Sequence, residues 1–91
     1  MDKKEREQML FDALDAQATA EGLSLIDVEV KGQAHNPIVI VYLDKEGGIG
    51  IDALTAANKW IDSTFDELIT TRYTLEVSSP GGRAKRAASE N

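Results

Sequence analysis

The sequence predicts an α+β fold, a two-layer sandwich in the order α-β-β-α-β, with a three-stranded antiparallel or mixed sheet carrying two helices on one face. Three observations predict it. Apolar residues recur at helical spacing in two stretches, 3–21 and 52–68. They alternate with period two at 24–31 and 73–78, and run continuously at 38–43. Glycine- or proline-bearing segments separate the stretches.

In the first helical stretch, Leu10, Ala13, Leu14 and Ala18 form one apolar stripe. Gly22 supplies the stop, because glycine enters the left-handed conformation without steric cost. The next stretch places Ile26, Val28 and Val30 on one face of a strand and Asp27, Glu29 and Lys31 on the other. Gly32 to Pro37 makes the turn into a second strand, Ile38 to Leu43, paired with the first as a hairpin. Pro37 suits a strand start, since it donates no ladder hydrogen bond.

The segment from Asp44 to Gly50 is a glycine-rich loop, and Asp52 is expected to cap the second helix. Leu54, Ala57, Ile61, Phe65 and Leu68 share one face of that helix, with Trp60 at its border. With Trp60 as a core ring, Trp60→Ala is expected to cost on the order of 3–5 kcal/mol. In the third strand Tyr73, Leu75 and Val77 oppose Thr74, Glu76 and Ser78, and Pro80-Gly81-Gly82 ends it. Residues 1–82 form the predicted domain, and 83–91 a basic, disordered tail without a large apolar residue. A right-handed crossover from the second strand to the third around the first gives an expected antiparallel sheet of order 2-1-3.

Charge narrows the choice of partners. The net charge of −6 is unevenly spread: residues 1–82 hold 15 acidic and 7 basic side chains, while Arg83, Lys85 and Arg86 outweigh Glu90 in the tail. An acidic domain is repelled by phosphate backbones, so direct RNA binding is disfavoured and a basic protein is the natural partner. The chain has no cysteine, so thiolate metal sites and disulfides are excluded. The first ten residues carry six charges, unlike a secretory signal, and no apolar run approaches the roughly 20 residues a membrane span requires. A cytoplasmic protein that does not engage a membrane is expected.

Catalytic and cofactor readings fail on chemistry. Gly48, Gly50 and Ala53 match a G-x-G-x-x-A pattern between strand and helix, but Asp52 sets a negative charge where a pyrophosphate would sit. A calcium loop starting at Asp44 would need glycine at its sixth position and a bidentate acid at its twelfth, where Ile49 and Thr55 stand. His35 is the single histidine and lies in a turn, without the companions a transition-metal site requires. Ser78 and Ser79 lack a positioned base. No catalytic, cofactor-binding or metal-ligating residue is assigned, and no enzyme activity is expected.

The sheet face left uncovered by the helices is more informative. Asp27, Glu29 and Glu76 point there, and the second strand adds either Ile38, Ile40 and Tyr42 or Val39, Val41 and Leu43. An acidic rim around an apolar strip suits a basic, partly apolar partner, with Asp27, Glu29, Glu76 and Tyr42 as candidate contacts.

Three segments carry a resemblance: Gly22-Leu23-Ser24-Leu25-Ile26-Asp27-Val28-Glu29-Val30, Val41-Tyr42-Leu43-Asp44-Lys45-Glu46-Gly47-Gly48-Ile49, and Tyr73-Thr74-Leu75-Glu76-Val77-Ser78-Ser79-Pro80-Gly81. From roughly Gln8 to Gly81 the chain resembles the amino-terminal domain of the ribosome maturation factor RimP, with E-V-S-S-P-G the most specific part. The resemblance implies a non-enzymatic assembly factor that assists maturation of the small (30S) ribosomal subunit, touching it through a basic ribosomal protein. In the family the S-S-P-G turn leads to an L-D-R-P-L-like stretch and a second, Sm-like domain; here Gly82-Arg83-Ala84-Lys85-Arg86 follows, and no such domain lies within the 91 residues. The alternative is a stand-alone interaction module, a shortened relative without ribosomal activity, that forms a weak homodimer by edge pairing of the second strand.

Overall fold

A computed structural model describes residues 2–80. The elements are α1 (Lys3–Ala20), β1 (Ser24–Gln33), β2 (Asn36–Asp44), α2 (Ile51–Leu68) and β3 (Thr74–Ser78), the order expected. The proposed tail, 83–91, lies outside the described residues.

Helix α1 starts where Asp2 caps it: Asp2 Oδ1 accepts the Glu5 backbone N–H at 2.8 Å. Its end is a Schellman turn. Gly22 takes φ +77°, and the N–H groups of Gly22 and Leu23 return to the carbonyls of Thr19 and Ala18. Leu23 and Ala18 then join the core, the apolar contact this motif favours. The buried stripe is Glu7, Leu10, Phe11, Leu14 and Ala18, whereas Ala13 is exposed. Phe11 rather than Ala13 therefore extends the stripe.

Helix α2 begins one residue before Asp52. Gly50 is its N-cap, extended at φ −92° and ψ 171°, and its carbonyl accepts the Leu54 N–H. Asp52 lies inside the first turn, where its charge complements the helix dipole without capping it. Ala57, Ile61 and Phe65 are buried. Leu68, expected on this face, is exposed; Ile69, just past the helix, turns inward instead. Trp60 is half-buried against the core.

Strand order differs from expectation. The sheet runs β1-β2-β3, with β1 and β2 antiparallel and β2 and β3 parallel. The sheet is therefore mixed and not the antiparallel one expected with order 2-1-3, and the neighbour of β3 is β2, not β1. The physical reason lies in β2 itself. A strand apolar on both faces fits the sheet centre, and β2-α2-β3 is then a direct crossover to an adjacent strand. Because β2 is central, it has no free edge, and homodimerisation by edge pairing of β2 is ruled out.

The hairpin closes through Ala34 and His35. Near its base the register shifts between Leu25 and Asp27, a bulge that leaves Ile26 without its own partner. Ile26 is consequently displaced from the core cluster, and Leu25 packs there in its place.

Val39, Val41 and Leu43 of β2 and Leu25, Val28 and Val30 of β1 face both helices, forming one cluster with Leu10, Phe11, Leu14, Ile61 and Phe65. Leu75 and Val77 pack against it from β3. Burying a side chain such as Leu14 or Ile61 contributes about 1.5–3 kcal/mol, so this shared face is what joins the two layers.

Candidate functional site

The core face of β2 is settled as Val39, Val41 and Leu43, so the open face carries Ile38, Ile40 and Tyr42. Strand register sorts that face into three rows. Asp27, Tyr42 and Ser78 make the first; Glu29, Ile40 and Glu76 the second; Lys31, Ile38 and Thr74 the third. Acid is thus concentrated in the two rows nearest the exit of β3, and Lys31 stands at the opposite end beside the hairpin turn.

The four candidate contacts sit on this side of the sheet but in different states. Tyr42 Oη donates to Glu29 Oε1 at 2.7 Å, which presents a phenol and a carboxylate as one unit between β2 and β1. Glu76 is exposed on β3. Asp27 is only 8% exposed, and its Oδ1 accepts the Val28 N–H at 2.9 Å. Asp27 therefore serves the edge of β1 as well as the charge of the face. Ile38, 39% exposed, and the half-buried Ile40 complete an apolar strip between the acids.

A second acid also serves the β1 edge. Val30 lies opposite Val39 in the ladder, yet its N–H donates at 2.8 Å to Glu7 Oε2 on α1. In an antiparallel ladder alternate residues turn their N–H groups away from the partner strand. Val28 and Val30 are such residues, and carboxylates of Asp27 and Glu7 occupy both outward donors. This edge is therefore blocked against strand addition at these two positions. The signal for Glu7 was present in the sequence: an acid falls within an apolar helical stripe at Leu10 minus three.

Below the sheet, Tyr73 links β3 to α2. Its ring meets Phe65 edge-on, with centroids 6.3 Å apart at 75°. Its hydroxyl lies 2.6 Å from Asp62 Oδ1 and 2.9 Å from Asp66 Oδ1, so one phenolic proton is shared by two carboxylates one helical turn apart. Burial of the ring, then the hydrogen bonds and negative charge of Asp62 and Asp66, raises the Tyr73 pKa well above its usual value. This cluster is structural in character, fixing the start of β3 against the helix.

The other candidates are dispersed. His35 is exposed in the hairpin turn. Gly48 closes a turn by donating to the Lys45 carbonyl at 2.8 Å, and Ser78 Oγ donates to the Ser79 carbonyl at 3.3 Å. Among the described residues no group of three or more His, Asp or Glu side chains is placed to hold a metal ion, and no helix is long and apolar enough to cross a membrane. Shallow cavities of about 200 Å³ beside Arg6 and Pro37 and about 390 Å³ beside Leu54 and Val77 lie away from the open face. Their linings share no residue with the open face, whose acid-rimmed apolar strip suits a macromolecular surface better than a small ligand, which favours concave sites.

The family model described as the RimP N-terminal domain matches residues 13–83, a span that includes all three strands, α2 and the whole open face. The chain belongs to the RimP N-terminal domain family, a family of ribosome maturation factors.

Proposed function

We propose that this domain assists maturation of the small (30S) ribosomal subunit in the cytoplasm without performing chemistry, by docking a basic ribosomal protein on its open sheet face. The observation that carries the reading is the arrangement of Glu29, Tyr42, Ile40 and Glu76 in adjacent rows of the open face. Family membership supplies the ribosomal setting. Tyr42 and Ile40 offer apolar area at the centre, and Glu29 and Glu76 attract a basic partner and exclude an acidic one. Asp27, nearly buried, contributes field to the same rim and holds the edge of β1 in shape.

Co-sedimentation with immature small subunits tests this. The native protein is expected to pellet with subunits at low salt and to dissociate as salt rises, because exposed charges are screened within about 10 Å at 0.1 M. A Glu29→Ala, Glu76→Ala double variant, shown to be folded by circular dichroism, is expected to stay in the supernatant. Native protein found wholly free at low salt, or a folded double variant that pellets as well as the native chain, overturns the reading.

A further inference from the structure

We propose that the outer edge of β3 is a second docking site, which takes an extended segment of a partner protein as a fourth strand, its apolar residues alternating with cations. The site is distinct from the open sheet face proposed above and does not depend on it.

The backbone supplies the first argument. Strands β1 and β3 form the two edges of the sheet. On β1 the outward N–H groups of Val28 and Val30 are taken by Asp27 and Glu7. Their ladder partners, Val41 and Val39, must turn their backbone groups the other way, toward β3. Val39 stands level with Leu75, and Val41 with Val77. In a parallel ladder a residue bonds to the two neighbours of the residue opposite it, so Thr74, Glu76 and Ser78 carry the bonds to β2. Leu75 and Val77 therefore direct both N–H and C=O away from the sheet. Among the described residues no hydrogen bond closes these groups as Asp27 and Glu7 close β1, and no proline or lysine lies within Thr74–Ser78. Those are the devices that commonly protect an edge.

The helix layer supplies the second argument. A cavity of about 390 Å³ is walled by Ile51, Leu54, Thr55, Asn58 and Lys59 of α2 and by Val77. It takes no residue of β2, which sets it on the β3 side of the helix layer. Ile51 is 76% exposed, and Leu54 and Val77 are half-buried, so apolar surface meets water here. In a strand laid along β3, the residues opposite Leu75 and Val77 project to the helix side with them. An aliphatic side chain opposite Val77 then covers this cavity while its backbone meets the bare donors and acceptors.

Charge selects the occupant. A residue opposite Glu76 projects on the other side of the sheet, beside an exposed carboxylate, where a cation is favoured and an acid repelled. The same carboxylate argues against a second copy of this chain. Antiparallel pairing of β3 with itself over its five residues sets Glu76 opposite Glu76, and like charges directly opposite destabilise a sheet. The segment that fits is a basic one, apolar at the two positions facing Leu75 and Val77 and cationic between them.

The test titrates the full chain with the end-capped peptide Arg-Val-Lys-Val-Arg and follows backbone amides by NMR. Amides of Leu75, Val77, Leu54 and Thr55 are expected to shift, while those of Val28 and Val30 on the closed edge stay still. A peptide of the same sequence and charge, with both valine nitrogens methylated, lacks the two donors that face β3 and should bind about tenfold more weakly. Ile51→Gln, at a position exposed enough to spare the fold, is expected to lower affinity for the unmethylated peptide roughly threefold. Glu76→Lys should lower it as well. Leu75 and Val77 amides unmoved by excess peptide, equal binding of the two peptides, or shifts confined to Glu29, Ile40 and Tyr42 overturn the strand addition. A native chain that sediments as a dimer, with the Leu75 and Val77 amides moving on dilution, also overturns it, because the edge then belongs to a second copy. Sedimentation with immature small subunits is read separately. A chain that takes the peptide at β3 yet leaves subunits unbound loses the open-face function and keeps this site.

Discussion

Glu7 and Val30 are 23 positions apart in sequence, yet the Glu7 carboxylate accepts the outward backbone N–H of Val30 at 2.8 Å. One hydrogen bond thus anchors the first turns of α1 to the edge of β1 and closes that edge at the same time. Glu7 is 6% exposed, so the bond is made out of water, where an unmet donor is costly.

Replacing Glu7 by alanine is therefore expected to destabilise the domain by about 1–3 kcal/mol, the cost of stranding a buried donor. Glu7→Gln keeps an acceptor oxygen and should lose less. Urea unfolding monitored by circular dichroism measures both, and an alanine variant as stable as the glutamine variant would contradict the assignment.

Tyr73 makes stability depend on alkaline pH. Its pKa is raised in the folded state, so the phenol stays protonated there while an unfolded tyrosine ionises near pH 10. The resulting stabilisation is complete below about pH 10 and declines as pH rises beyond it. Tyr73→Phe is expected to cost about 0.5–1.5 kcal/mol at neutral pH. The difference in stability between native and variant should then shrink above pH 10, as thermal melts in a pH series will show; a difference that stays constant or grows refutes the phenol's role.

Gly32 is held at φ +81°, and a Cβ added there would stand 3.3 Å from the Asn36 carbonyl oxygen. Gly32→Ala therefore meets a backbone penalty of roughly 1–2 kcal/mol with little room for relief. Gly47, at φ +84°, has nothing within 4 Å of such a Cβ, so Gly47→Ala isolates the conformational part of the cost. Chemical denaturation of the pair should rank Gly32→Ala as the more destabilised; the reverse order would show that the close approach is unimportant.

Phe65 lies at the junction of α2, β3 and the core, fully buried and edge-on to Tyr73. Phe65→Ala should cost about 3–5 kcal/mol, enough to unfold much of a domain of this size. Trp60→Ala, at a half-buried position, should cost less than the full-burial value expected from the sequence. Equilibrium unfolding of both variants gives the order directly.

Tyr42 tests the docking face without changing its charge. Tyr42→Phe removes the bond to Glu29 Oε1 while the ring remains. Subunit binding should weaken only slightly, whereas Tyr42→Ala, which removes the central ring, should weaken it about tenfold or more, as loss of an aromatic anchor does. Equal binding by the alanine variant and the native protein would remove Tyr42 from the interface.

Local chemistry made most of the secondary structure legible. The Schellman glycine at Gly22, the alternation through Glu29 and Val30, and the apolar spacing of Ala57, Ile61 and Phe65 each express a short-range periodicity. The family was legible as well, because E-V-S-S-P-G is a contiguous word. The charge imbalance between the domain and residues 83–86 needed no structure at all.

Tertiary structure decided what depends on neighbours. Whether β3 joins β1 or β2 is a competition for ladder partners, and the chain's own alternation does not encode which strand wins. The bulge at Ile26 exchanged Ile26 for Leu25 in the core, a one-residue slip that period-two reasoning cannot see. Backbone hydrogen bonds settled the roles of the acids: Glu7, from 23 positions away, and Asp27, from the adjacent position, were drawn inward to the bare N–H groups of an edge strand, while Glu76 remained in solvent. In sequence these carboxylates are alike. Only the folded sheet, by setting which backbone donors lack a strand partner, separates those that hold the edge from those that charge the open face.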